Sequence, residues 1–160
     1  MLAHDTQREE AAGSEYLTFR LDVEEYAIDI LKVQEIKGYS AITTIPNAPP
    51  HIKGVMNLRG TVIPVVGLRE RFGLETLPYD KFTVIVIVKV GARVIGMIVD
   101  AVSDVLRLGR ENIDPPPQLG ANVDMSFVTG MAKVSERLVL VLEVDSLVGD
   151  AVGIALDSGN

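Results

Sequence analysis

Two histidines, His4 and His51, and no cysteine are the residues of this 160-residue chain from which metal or nucleophile chemistry would have to start. His4 lies in a polar N-terminal stretch and His51 in the proline loop "PNAPPH". A zinc site built on them would need carboxylates to complete it. A Ser-His-Asp triad would have to use His51, and no serine sits in a Gly-x-Ser-x-Gly turn. Neither Gly-x-Gly-x-x-Gly nor Gly-x-x-x-x-Gly-Lys occurs, so nothing is shaped to cradle a phosphate. Asp100 and Asp104 are close enough to form a carboxylate pair, but aspartates at strand ends are usually solvated. The residues therefore point away from catalysis, and no cofactor or metal is expected.

One charged residue is harder to place. In "KGVMNLRGTVIPVV" (53–66) two apolar runs are split by Asn57-Leu58-Arg59-Gly60. Gly60 suits a tight reversal because it tolerates positive φ. Val55, Asn57 and Arg59 alternate with Met56 and Leu58, so Asn57 and Arg59 share a side. The plain reading of Arg59 is a solvated hairpin tip. The functional reading is an interface anchor, since a guanidinium makes several hydrogen bonds while its stem packs on apolar neighbours.

The elements that hold these residues read as strands. "EYLTFRL" alternates, with Leu17, Phe19 and Leu21 on one face, and "YAIDI" follows after the turn "DVEE". "LKVQEIKGYSAITTI" reads as an irregular turn and a strand. The opening hairpin leads into "LRERFG", one or two helical turns closed by Gly73. "FTVIVIVKV", "RVIGMIVDAV", "FVTGMAKVS" and "RLVLVLEV" are four further strand signals, with the long loop "GRENIDPPPQLGANVDMS" between the middle two. "DSLVGDAV" starts a closing helix. Gly38, Gly54 and Gly96 mark either bulges or places where a partner approaches the backbone.

Hydrophobic residues make up 48% of the chain, enough for a substantial core, and no apolar run nears the roughly 20 residues of a membrane span. The first 14 residues lack an apolar signal-peptide core, and the absence of cysteine favours the cytosol. A net charge of −7 argues against nucleic-acid binding.

The halves repeat. Shifted by 69, residues 15–36 lie on 84–105 without a gap; shifted by 76, residues 52–73 lie on 128–149. Leu17 meets Val86, Glu35 meets Asp104, Gly54 meets Gly130 and Gly73 meets Gly149. Arg59 meets Ser135, so it does not recur, which favours a functional role. The acidic group at 35 and 104 does recur, which favours a structural one, such as bonding nearby backbone N–H groups. Short strands with no place to hide an edge predict closure into two small barrels, with a further core between them.

The stretches "EEYAIDILKVQEIKGY", "IKGVMNLRGTVIPVVGLRERFG", "VIGMIVDAVSDVLRL" and "TGMAKVSERLVLVLEVDSLV" resemble the CheW family of bacterial chemotaxis coupling proteins, from about residue 15 to 149. The resemblance implies an all-β fold of two small five-stranded SH3-like β-barrels packed together, with short helical turns and a C-terminal helix. It implies a tail at 1–14, a CheW-like domain at 15–150 divided into intertwined subdomains near 15–80 and 81–150, and a tail at 151–160. It also implies a non-catalytic cytoplasmic adaptor of a two-component system, recruited to receptor arrays, with no membrane insertion of its own. Its partners would be the cytoplasmic tip of chemoreceptors and the regulatory domain of the histidine kinase CheA. The receptor tip would lie between the barrels, at Val33, Glu35, Gly54, Asn57, Leu58 and Arg59, with Glu35 orienting Arg59. The kinase would meet apolar edges at the barrel ends. Two alternatives stand beside this: the regulatory module of a CheA-type kinase, and a small-barrel nucleic-acid binder. Two departures from the family pattern stand out. Gly67 takes the place of a common acidic residue, which removes a partner for nearby arginines, and the loop at 114–119 lacks basic and aromatic residues.

Overall fold

The computed structural model describes residues 13–116 and 126–151. The β-branched runs form strands wherever the sequence alternates. β1 (Ser14–Leu21) and β2 (Glu24–Asp29) make a hairpin, followed by a 3₁₀ turn at Ile30–Lys32 and β3 (Val33–Gly38). After the proline loop come β4 (Ile52–Leu58), β5 (Thr61–Gly67) and the short helix α1 (Leu68–Arg71). The second half holds β6 (Val84–Val90), β7 (Arg93–Val99), β8 (Ala101–Leu108), a 3₁₀ turn at Arg110–Asn112 and β9 (Ile113–Asp114). It closes with β10 (Val128–Val134), β11 (Arg137–Leu142) and α2 (Val144–Val148). Gly73 stops α1 in the left-handed region at φ 75°, as its position after the helical run requires. Residues 117–119 of the departing loop lie outside the described residues.

The protein is mostly β, in two sheets. One has six strands in the order β8-β1-β2-β11-β10-β9, the other five in the order β3-β6-β7-β5-β4. The first is one strand larger than the five expected, because β9 adds two residues beside β10. Nor do the sheets follow a division at residue 80. β1 and β2 join strands of the second half, while β6 and β7 join strands of the first. A parallel pairing completes each exchange: β11 runs beside β2, with Val141 opposite Ala27, and β5 beside β7, with Val65 opposite Gly96.

Those two pairings are repeat equivalents, since Val65 matches Val141 and Ala27 matches Gly96. The isolated bridge Thr43–Val55 likewise answers the Asp114–Met131 pairing. The repeat seen in the sequence is therefore an approximate twofold. Arg71 Nε donates to the carbonyl of Leu147 at 3.0 Å, and Leu147 is the repeat equivalent of Arg71, so the axis passes between α1 and α2.

The main core lies between the sheets. Leu17, Phe19, Leu21 and Ile28 from one meet Val86, Val88, Ile95 and Met97 from the other, closed by Leu68, Val144 and Leu147 of the helices. A second core, wholly aliphatic apart from Met56, fills the inside of the five-stranded sheet with Leu58, Ile63, Val65, Ile85, Ile87 and Ile98. β6 serves both, with Val86 and Val88 on one face and Ile85 and Ile87 on the other. That accounts for its unbroken apolar sequence.

Candidate partner-binding surface

The β4–β5 hairpin turns through Arg59 at φ 50° and Gly60 at φ 90°. Two successive residues at positive φ define a type I′ turn, whose twist matches the flanking strands. An arginine in that region is uncommon, and the conformation costs it roughly 1 kcal/mol. The neighbour Asn57 helps fix the turn: its Oδ1 accepts the Gly60 N–H at 2.7 Å.

From this tip the Arg59 guanidinium reaches back to Glu35 on β3. Nη1 donates to Oε1 at 3.2 Å and Nη2 to Oε2, a bidentate pair. The hydrogen bond from Arg59 holds the Glu35 carboxyl below the usual range, and Glu35 raises the guanidinium in turn. β3 and β4 are the two end strands of their sheet. The pair thus joins one end strand of the sheet to the hairpin of the other. The Arg59 side chain stays 66% exposed and Glu35 29%.

The other candidate positions divide. Leu58 is 7% exposed and part of the inner core. Gly54 is buried at φ 146°, and a Cβ there would stand 2.1 Å from the Thr43 carbonyl oxygen. It serves a bulge between Ile52 and Gly54 and the Thr43 bridge. Val33 is half-buried against the main core. Glu35, Asn57 and Arg59 are brought together around the hairpin tip; Leu58 and Gly54 support it from beneath. Gly96 is buried beside Ile85, while the space above Gly38 is open.

Sequence comparison of the halves missed an arginine. Arg137, two residues past Ser135, donates to Glu25 at 3.0 Å from Nε and to Asp104 at 3.1 and 3.2 Å. Asp104 also bonds the buried Thr18 hydroxyl. Arg137 first, then Thr18, keeps the Asp104 carboxyl below its usual range. An arginine–carboxylate pair therefore does recur, from a shifted position. The recurring acid bonds a guanidinium in both halves, not the backbone N–H groups expected for Glu35. A search for arginines within two residues of the hairpin tip would have found Arg137. What sets Arg59 apart is exposure and a single carboxylate partner, against two for Arg137 at 34% exposure.

The remaining candidates for chemistry are engaged elsewhere. Asp100 and Asp104 do not act as a pair: Asp100 holds Arg69 with contacts of 2.7 and 2.8 Å, and Asp104 holds Arg137. His51 Nε2 lies 3.0 Å from Asp150. Among the described residues no three metal-ligating side chains gather into a site. Gly67 deprives no arginine, since Arg69 binds Asp100 and Asp22 and Arg71 binds the Leu147 carbonyl.

Fold and surface define a twofold-repeated two-sheet β protein with an exposed charged pair joining the two end strands of one sheet. The chain belongs to the CheW-like domain family, whose model matches residues 15–152. It is 44% identical over 138 residues to the chemotaxis protein CheW of Klebsiella aerogenes, covering 86% of this chain and 83% of that one. It is 36% identical over 135 residues to the chemotaxis protein CheW of Rhizobium meliloti, covering 84% and 87%. The crystal structure of scaffolding protein TtCheW from Thermoanaerobacter tengcongensis superposes with a TM-score of 0.78 at 36% identity, over 84% of this chain and 92% of that one.

Proposed function

We propose that this chain is a non-catalytic scaffold of bacterial chemotaxis that couples the cytoplasmic tips of chemoreceptors to the histidine kinase CheA. The family, and relatives named as a chemotaxis protein and a scaffolding protein, support the class. No described helix is long and apolar enough to cross a membrane, in keeping with recruitment to membrane-anchored arrays through the receptors.

The observation that carries the receptor assignment is the Arg59–Glu35 pair. It holds a guanidinium in one orientation while leaving two-thirds of the side chain open. A partner helix offering carboxylates or carbonyls finds donors already aimed, so binding spends little on ordering them. Val33 and Asn57 flank the contact, with Gly54 and Leu58 as its support. The kinase regulatory domain meets another, apolar surface.

Arg59→Glu places a like charge opposite Glu35 and turns attraction into repulsion. Co-sedimentation with receptor fragments and CheA should show at least tenfold weaker receptor association, lost kinase stimulation, and a melting temperature within a few degrees of the parent. A variant that unfolds would make Arg59 structural. Full receptor binding by a folded variant would remove it from the interface.

A further inference from the structure

Beside the proline loop, on residues separate from the Arg59–Glu35 pair, lies an open cavity of about 470 Å³. Its walls include Tyr39, Ile42, Leu77, Pro78 and Tyr79, and Lys53 is its cation. The two tyrosine rings stand 4.4 Å apart, tilted by 47°. Both tyrosines and Leu77 stay 36–40% exposed. Burial, with help from Glu70 and Tyr39, pushes the Tyr79 phenol up to about 12.

The polar floor is unusual. The Lys53 side chain is only 25% exposed, and its ammonium lies 3.5 Å from Glu70 Oε2, longer than a normal hydrogen bond. That same oxygen accepts the Thr76 hydroxyl. Among the described residues, Glu70 is the one carboxylate paired with Lys53. An ammonium carries three donors, and this one lines the cavity with Glu70 as its paired carboxylate. Gly67 makes the arrangement possible. A Cβ there would fall 2.2 Å from Glu70 Oε1 and 3.0 Å from Lys53 Cδ, so both side chains fill the space that a residue at 67 would take.

We propose that this cavity binds an exposed segment of a partner protein in which an acidic residue stands beside a bulky apolar one. The carboxylate meets Lys53 and the apolar side chain lies between Tyr39, Tyr79 and Leu77. Charge complementarity selects the acid, because Lys53 is the one charged residue among those lining the cavity and its pairing with Glu70 is longer than a hydrogen bond. A protein segment is favoured over a small molecule because the cavity is open to solvent and its apolar wall is made of the partly exposed side chains Tyr39, Leu77 and Tyr79.

The test titrates the full chain with two peptides, acetyl-Glu-Leu-Phe-amide and acetyl-Gln-Leu-Phe-amide, and with 3-phenylpropanoate, reading tyrosine-ring shifts by NMR. The Glu peptide should bind at least fivefold tighter than the Gln peptide and shift Tyr39 and Tyr79. Lys53→Met should bring that ratio near one. Because Lys53→Met leaves Glu70 unpaired and could disturb the fold, Gly67→Asp is the second variant. Residue 67 has an ordinary φ of −85°, and a carboxylate there displaces Glu70 and repels the ligand. It should weaken the Glu peptide at least fivefold while the protein stays folded. Equal binding of the two peptides, or unchanged binding by folded Gly67→Asp, overturns the proposal. Binding of phenylpropanoate without the Glu peptide overturns the choice of a protein segment.

Discussion

Arginines show how exposure separates two uses of one interaction. Arg137 is shared between Glu25 and Asp104, ties three strands together and is largely sheltered. Arg59 has one carboxylate and faces solvent. The Arg137 network also sets a pH dependence. Asp104 ordinarily titrates near 3.8, and its folded value is lower. A depressed folded pKa contributes stability that is fully present above the unfolded value and is lost as pH falls through the folded one. Asp104→Asn should therefore be less stable than the parent at pH 7. The gap should narrow as pH falls below about 4, as urea unfolding across pH 2–7 will show. A gap that is constant or widens in acid would mean that ionisation of Asp104 plays no part. Sequence alone showed that the acid recurs at 35 and 104, yet not that both take arginines, because the arginines come from non-equivalent positions.

At the scale of elements, the hairpin tip depends on what lies under it. Gly54 lets the Thr43 carbonyl approach β4, and the backbone pair Thr43 N–H to Val55 O at 2.9 Å, with its reciprocal, follows from that closeness. Any side chain at 54 meets both an unfavourable φ and a backbone oxygen that cannot swing away. Gly54→Ala should cost roughly 2–4 kcal/mol, lowering Tm by about 5–15 °C for a chain of this size. Calorimetry decides this, and a loss under 1 kcal/mol would show that the bulge relaxes easily. Gly54 was legible as a bulge or a place of close approach. What approaches it is this chain's own segment at 43, and that pairing is invisible until the loop is folded.

For the whole molecule, exchange of strands between the halves is the governing feature. Each sheet takes strands from both halves, so neither half can complete a sheet alone. A protease cut in the connection between α1 and β6, within residues 74–82, should therefore leave two fragments that elute together in native buffer and part only in denaturant. Separation of the nicked chain without denaturant would contradict the interlocked arrangement. A pair of charges of inverted sign supports the same picture. Arg69 of α1 binds Asp100 after β7, while Asp145 of α2, its repeat equivalent, pairs with Lys32 after β2 at 3.3 Å. Both clamp a helix to the bend that follows an exchanged hairpin.

By itself the sequence determined most of the strands, the hairpin tips, the repeat and the family, because each of these is written in local alternation, turn residues or matched spacing; β8, read only as the end of the strand before it, and β9, read as loop, escaped it. It also indicated a core between two units, since runs such as 84–88 need cover on both faces. Only the tertiary structure decided which half each hairpin joins, that Asp104 meets Arg137 as Glu35 meets the Arg59 that the family resemblance assigned to it, and that Gly67 opens a cavity floor for Lys53 and Glu70. Those outcomes depend on strands distant in the chain, whose pairing is fixed by the packing of two sheets around a shared core and leaves no periodic mark along the chain.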